Sequence, residues 1–172
     1  MILNLPTSQH ESNVVLRHAQ VLDHAPIISV INDWWGGRPM ADMLPKLFFE
    51  HFQPTSFVLE LEERIIAFLI GFVSQTDPTQ AYIHFVGVDP LERASGFGKT
   101  IYEHFFEVVQ ALGCHSVRCV TSPVNTAPIA FHRRMGFEFL TGDTEQNNAP
   151  VHTDYDGLGG SRVLLRRDLQ RL

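Results

Sequence analysis

Between residues 81 and 112 the hydrophobic period changes once, and that change constrains the fold more than any other stretch. Residues 81–88, Ala-Tyr-Ile-His-Phe-Val-Gly-Val, suit an extended strand, and Asp89-Pro90 ends it because proline cannot donate to a ladder. After a glycine-containing loop, Phe97, Ile101, Phe105, Val108 and Leu112 recur every three or four residues. That is the spacing of a long amphipathic helix, and Gly113 stops it. A strand that feeds such a helix needs a sheet beside it and a core beneath the helix, which selects an α/β or α+β fold.

The flanking sequence extends this. Residues 65–73 are nearly all apolar, as a strand buried on both faces would be. Residues 56–61 form the strand before it, with a turn at Glu62-Glu63-Arg64. Residues 1–12 read as a loose leader and 14–17 as a short first strand. Asp23 is expected to cap a helix through Ile27, Ile28, Val30 and Ile31 that ends at Trp34-Trp35-Gly36-Gly37. A second helix is expected over 42–52, with Leu44, Leu47, Phe48 and Phe52 on one side and Pro45 tolerated in its first turn. Residues 116–121 read as a strand, 127–135 as a short helix closed by Gly136, and 137–140 and 162–165 as strands flanking a long loop over 141–160. The order β-α-α-β-β-β-α-β-α-β-β describes one domain over 1–172 with a mixed sheet flanked by helices.

Charge narrows the partners. The 172 residues hold 13 basic and 19 acidic side chains, a net charge of −6. Nucleic acid is therefore not an expected partner, because its binding rests on neutralising many phosphates. No run approaches the roughly 20 apolar residues of a membrane span, and the first residues lack a secretory pattern. A cytoplasmic protein with no membrane partner is expected. Cys114 and Cys119 suggest neither a disulfide framework nor a zinc site, so no metal is expected.

The chemistry is concentrated in two segments. In Arg93-Ala94-Ser95-Gly96-Phe97-Gly98-Lys99 the loop has the form R-x-x-G-x-G and opens the long helix. The first N–H groups of a helix lack partners within it, and the dipole there favours negative charge. Glycines allow close backbone approach, so the loop suits a pyrophosphate, with Arg93 and Lys99 adding positive charge. Taken alone, it equally suits a turn with no ligand. A P-loop would need an earlier glycine, and a dinucleotide fingerprint would need glycine at Ile101. The second segment, residues 125–137, has the form N-x-x-x-x-A-x-H-x-x-x-G-F. Asn125 and His132 lie two helical turns apart, about 10 Å along one face, suited to an extended pantetheine arm.

Together these segments resemble the GNAT superfamily of N-acetyltransferases, over about residues 14–169. The resemblance implies a mixed, mostly antiparallel central sheet of about seven strands. It implies acetyl-CoA as co-substrate, with the backbone of Val86, Gly87 and Val88 along the pantetheine. Ala94, Ser95, Gly96, Phe97, Gly98 and Lys99 would lie at the pyrophosphate, and Asn125 on the arm. Transfer is expected to be direct, with an N–H near Val88 steadying the oxyanion. One position departs from the family pattern: His132 stands where the family most often has the tyrosine assigned as the acid for the departing thiolate. Imidazole can also serve as an acid-base group. Relatives in this family are often homodimers, although no motif here requires one.

The acceptor is expected to be a small-molecule amine or a peptide. Its base is sought in His84, on the strand before the loop and sharing a face with Tyr82 and Val86, or in Glu50 on the second helix. Asp33, Trp34, Trp35 and Arg38 would border the acceptor site, either through cation–π and charge contacts or, for Arg38, by binding a carboxylate. Tyr82, Asp154 and Tyr155 form a second candidate patch. Two other readings stay open: an acyl-CoA-binding regulator without transferase activity, and a transferase acting on protein or transfer RNA.

Overall fold

The computed structural model describes residues 14–169; the expected leader over 1–12 lies outside the described residues. In chain order the elements are β1 (Val14–His18), α1 (His24–Trp34), α2 (Leu47–His51), β2 (Phe57–Leu61), β3 (Arg64–Val73) and β4 (Gln80–Val88). Then follow α3 (Phe97–Ala111), β5 (Ser116–Thr121), α4 (Thr126–Arg134), β6 (Glu138–Phe139), β7 (Thr144–Gln146), β8 (Ala149–Val151) and β9 (Val163–Asp168). Seven strands form one sheet in the order β1-β2-β3-β4-β5-β9-β6. All its pairings are antiparallel except β4 with β5. This is the mixed, mostly antiparallel sheet expected. No described helix is long and apolar enough to cross a membrane.

The sheet is covered on both faces, which is why the middle of β3, from Ile66 to Gly71, is buried without alternation. On one face α3 sets Ile101, Tyr102, Phe105 and Val109 against Leu69, Ile83 and Val117. On the other, Ile27, Ile31 and Trp34 of α1 and Phe49 of α2 pack on Val58, Phe68, Ile70 and Phe85. The α3 stripe is rotated from the one expected: Val109 is buried, while Leu112 caps the helix and is 56% exposed.

Three local expectations are corrected. The single helix over 42–52 is a 3-10 turn (Ala41–Met43) followed by the short α2, because Leu44 precedes Pro45 and the α region is disfavoured there. Leu44 and Phe49 turn inward and Leu47 outward. Asp23 stands at the start of α1, but its carboxylate does not cap that helix. It accepts from both Nη atoms of Arg17 (2.7 and 2.8 Å) and from the Gln20 amide. Inside the expected 141–160 loop lies the β7–β8 hairpin, closed by Asn147-Asn148, both at positive φ. Its strands are too short to show a period, although Ala149 and Val151 are buried around a partly covered Pro150.

Two features of β4 shape the site. Ile70 pairs with Phe85 and Gly71 with Ile83, so His84 is the extra residue of a bulge. Ahead of the bulge Ala81 and Ile83 face α3; past it Phe85 faces α1, and Val86 and Val88 return to the α3 side. Val86 therefore does not share a face with Tyr82 and His84, contrary to simple alternation. Second, β4 pairs with β5 only over Gln80–Tyr82, and beyond Tyr82 the two strands part.

Candidate active site

The parting of β4 from β5 leaves a free backbone edge, and the register tells which groups line it. The Asp89 amide donates to the Ile66 carbonyl. Antiparallel bonding alternates, so Gly87 and Phe85 bond inward to Phe68 and Ile70, while the N–H and C=O of Val86 and Val88 face the gap. Gly87 has another reason to be glycine: a Cβ there would lie 2.7 Å from Trp35 Cη2 and 2.8 Å from Phe68 Cε1. Its absence lets Trp35 lie on the strand.

At the end of β4 the loop is pinned from three sides. Arg64 bonds to Asp89 and, at 2.6 Å, to Glu92. Asp89 Oδ1 accepts from the Leu91 amide at 2.9 Å. Arg93 donates to the Trp34 carbonyl at 2.7 Å and the Val88 carbonyl at 3.3 Å. The Arg93 cation thus ties the loop to the end of α1. Ala94 (φ 68°) and Gly96 (φ 87°) then turn the chain into α3. Thr100 makes the first backbone bond to Gly96, so the N–H groups of Phe97, Gly98 and Lys99 have no acceptor within the helix. Gly98 makes room for Phe131: a Cβ added there would lie 3.1 Å from its ring.

This cradle opens a cavity of about 730 Å³ that runs past Trp35, Val86 and Phe131 to Asn125 and His132. Lys99 and Arg134 border it, and Lys99 pairs with Glu103 at 3.5 Å. A second cavity, about 350 Å³, lies beyond it, bounded by Met43, Tyr82, His84, Asp156 and Arg162. The two cavities share Trp35, Arg38, Val86, Asn125, Pro128 and His132, so they meet at the sheet opening. Across that junction Arg38 Nη1 donates to Asn125 Oδ1 at 2.8 Å, and Asn125 Nδ2 donates to Thr121 Oγ1 at 3.1 Å.

Two histidines face this junction or its far side. His132 is 6% exposed, and its Nδ1 lies 3.2 Å from the Tyr102 hydroxyl and 3.6 Å from Cys119 Sγ. Burial pushes its pKa down to about 4, so the ring is neutral at pH 7. His84 stacks on Phe48 (4.1 Å between centroids), and its Nε2 lies 2.7 Å from the Met43 carbonyl. A carbonyl only accepts, so the proton sits on Nε2 and Nδ1 keeps its lone pair. Burial lowers the His84 pKa as well. Burial raises the Cys119 thiol above its ordinary range, which leaves it protonated.

Of the residues singled out in the sequence, Val86, Gly87, Val88, Arg93, Ala94, Gly96, Phe97, Gly98, Lys99, Asn125 and His132 line the larger cavity. Trp35, Arg38, Tyr82 and His84 line the smaller. Five do not line either cavity. Glu50 is on the surface of α2 with Lys46 and His51, Asp33 and Ser95 are exposed, and Tyr155 is 50% exposed. Asp154 turns its carboxylate to the Gly159 amide at 2.7 Å. Trp34 is a core residue stacked on Phe68 that touches only the larger cavity. From the 152–160 loop it is Asp156 that reaches the site, held by Arg162 at 2.6 Å. Sequence reasoning missed Tyr102, Asp156 and Arg162. Tyr102 is within the apolar stripe of α3 and carries no signal of its own; the candidates Asp154 and Tyr155 marked the right loop but not the right carboxylate.

Residues 25–137 match the acetyltransferase (GNAT) family. Among curated relatives, the L-2,4-diaminobutyric acid acetyltransferase of Nocardia farcinica is 27% identical over 123 residues, 72% of this chain and 64% of that protein. The mycothiol acetyltransferase of Pseudarthrobacter chlorophenolicus is 29% identical over 107 residues, 59% of this chain and 33% of that one. The match therefore spans between one third and two thirds of these relatives' own lengths. The diaminobutyrate acetyltransferase of Paenibacillus lautus, solved with L-2,4-diaminobutyric acid and coenzyme A, shares the fold. Its TM-score is 0.65 at 16% identity, over 94% of this chain and 99% of that one.

Proposed function

The chain belongs to the GNAT acetyltransferase family, and from that premise we propose that it is an acetyl-CoA-dependent N-acetyltransferase acting on a primary amine of a small molecule. The observation that carries this is the junction of the two cavities at the open edge of β4: one is headed by a helix N-terminus, the other walled by Tyr82, His84 and Asp156. The residues fit acetyl-CoA. The N–H groups of Phe97, Gly98 and Lys99 take the pyrophosphate, and the Val86 and Val88 edge takes the pantetheine amides as an added strand would.

Acetyl-CoA supplies the thioester to be cleaved. The chain's own groups do the rest. The Val86 or Val88 N–H, whichever meets the carbonyl oxygen, steadies the developing oxyanion. Nδ1 of His84 takes the proton of the attacking amine, directly or through one water. Arg38 and the Asp156–Arg162 pair orient the acceptor. A relative named for L-2,4-diaminobutyric acid supports a small acceptor, as does a cavity of about 350 Å³.

The test is thiol release from acetyl-CoA by the purified protein against a panel of diamines, amino acids and amino sugars, with a peptide N-terminus alongside. Amine-dependent release, greatest for a small acceptor, is the expected result. Tight acetyl-CoA binding without release for any acceptor would replace the transferase with an acyl-CoA-binding regulator.

A further inference from the structure

Beside the larger cavity a tyrosine from one helix meets a buried histidine from the next. Tyr102 is on α3 and His132 on α4, 30 residues apart, with the phenol oxygen 3.2 Å from Nδ1. Both lie in the large cavity wall, and both are buried, at 1% and 6% exposure. Tyr102 is held edge-on by Phe106, Phe131, His132 and Phe137, so its ring has little freedom.

The direction of that hydrogen bond decides what His132 offers to the cleft. Were Nδ1 the donor, the phenol hydrogen would need another acceptor, and among the described residues the hydroxyl bonds to His132 Nδ1. A buried donor left without an acceptor loses its bond to water and gains none in return. With the phenol as donor the imidazole proton stands on Nε2, whose nearest partner among the described residues is Cys119 Sγ at 4.0 Å and whose ring lines both cavities. Cys119, at 3.6 Å from Nδ1, is a poor competitor because thiols bond weakly.

We propose that Tyr102 is a positioning residue: its hydroxyl donates to Nδ1 and fixes His132 as the Nε2–H tautomer, which then donates a hydrogen bond to the coenzyme sulfur. This rests on the acetyltransferase reading and specifies how the leaving group is managed. His132 is a donor here and not a proton-transfer acid, because a buried neutral imidazole is scarcely protonated at pH 7. Atoms and charges balance in the step. The amine nitrogen forms the N–C bond, the C–S electron pair departs on sulfur, and the amine proton passes to His84 Nδ1. His132 Nε2–H bonds to the sulfur while it carries that charge and keeps its own proton; the thiolate is later protonated from solvent.

The tautomer is read directly by nitrogen NMR of ¹⁵N-histidine-labelled protein, with no turnover required. The expected wild-type spectrum shows His132 protonated on Nε2. Tyr102→Phe, which keeps the ring and its packing, yields a mixture with the Nδ1–H form. Addition of coenzyme A shifts the Nε2 resonance in wild type. In the assay Tyr102→Phe is expected to lose roughly tenfold or more in kcat with the KM for acetyl-CoA little changed. A wild-type Nδ1–H tautomer overturns the proposal, as does a Tyr102→Phe spectrum identical to wild type or an Nε2 resonance indifferent to coenzyme A. Should wild type show the expected spectra yet release no thiol with any amine, the transferase reading fails and the Tyr102–His132 arrangement stands.

Discussion

Acid should unfold this protein partly through His132, and the size of the effect follows from where the ring sits. Its ordinary pKa is about 6.5 and burial lowers it to about 4 in the folded chain. The folded state thus disfavours the proton that the unfolded chain accepts. The stability contributed by the neutral ring is complete above about pH 6.5 and is lost as pH falls toward 4. At 1.36 kcal/mol per unit the whole shift is worth about 3 kcal/mol, and the part lost between pH 7 and pH 5 is about 2 kcal/mol. Urea unfolding of wild type and of His132→Asn at pH 7, 6 and 5 isolates this. The other histidines and the carboxylates titrate in both proteins, so only the difference in pH slope belongs to residue 132. His132→Asn is expected to be the less stable at pH 7 and to lose about 2 kcal/mol less on going to pH 5. Parallel slopes would mean that water reaches the imidazole in the folded state, and the account of a dry, neutral donor beside the sulfur would go with it.

Other perturbations bear on separate parts of the structure. His84→Gln removes the Nδ1 lone pair, and kcat at pH 7 is expected to fall by roughly a hundredfold with acetyl-CoA affinity retained; undiminished turnover would take the base role from His84. Gly87→Ala sets a methyl 2.7 Å from Trp35 and 2.8 Å from Phe68, and is expected to cost about 1–3 kcal/mol in urea unfolding and to weaken acetyl-CoA binding by calorimetry. A stability equal to wild type would show that Trp35 moves freely off β4. Glu62 and Glu63 both hold positive φ (50° and 66°) in the β2–β3 turn. The double change Glu62→Asn with Glu63→Gly is expected to raise stability by about 1 kcal/mol, since that turn favours Asn-Gly. A lower denaturation midpoint would refute it.

Local signals were enough for the frame of this protein. The 3.6-residue period from Phe97 onward, the apolar run over 65–73 and the stop at Asp89-Pro90 each depend on a few neighbouring residues, and each became the element expected. The phosphate cradle was legible for the same reason: Arg93 through Lys99 is one continuous segment whose glycines and free amides act in sequence order. Pro45 shows how far such local rules reach, because the break at Leu44 follows from the residue after it.

The acceptor side was decided elsewhere. Whether Val86 faces α3 or α1 depends on the bulge at His84, which exists only in the register of β4 against β3. The edge open to the coenzyme depends on β5 leaving β4 after Tyr82. Asp156 reaches the site and Asp154 does not because Arg162 holds one while the loop's own Gly159 amide holds the other. Tyr102 reads as one more core aromatic until α4 brings His132 to within 3.2 Å of it. A residue's side-chain period is encoded within a few positions of it, whereas its partner across a sheet or between helices is encoded tens of residues away; the chain therefore displays its elements and its coenzyme loop, and only packing displays the pairs that do the chemistry.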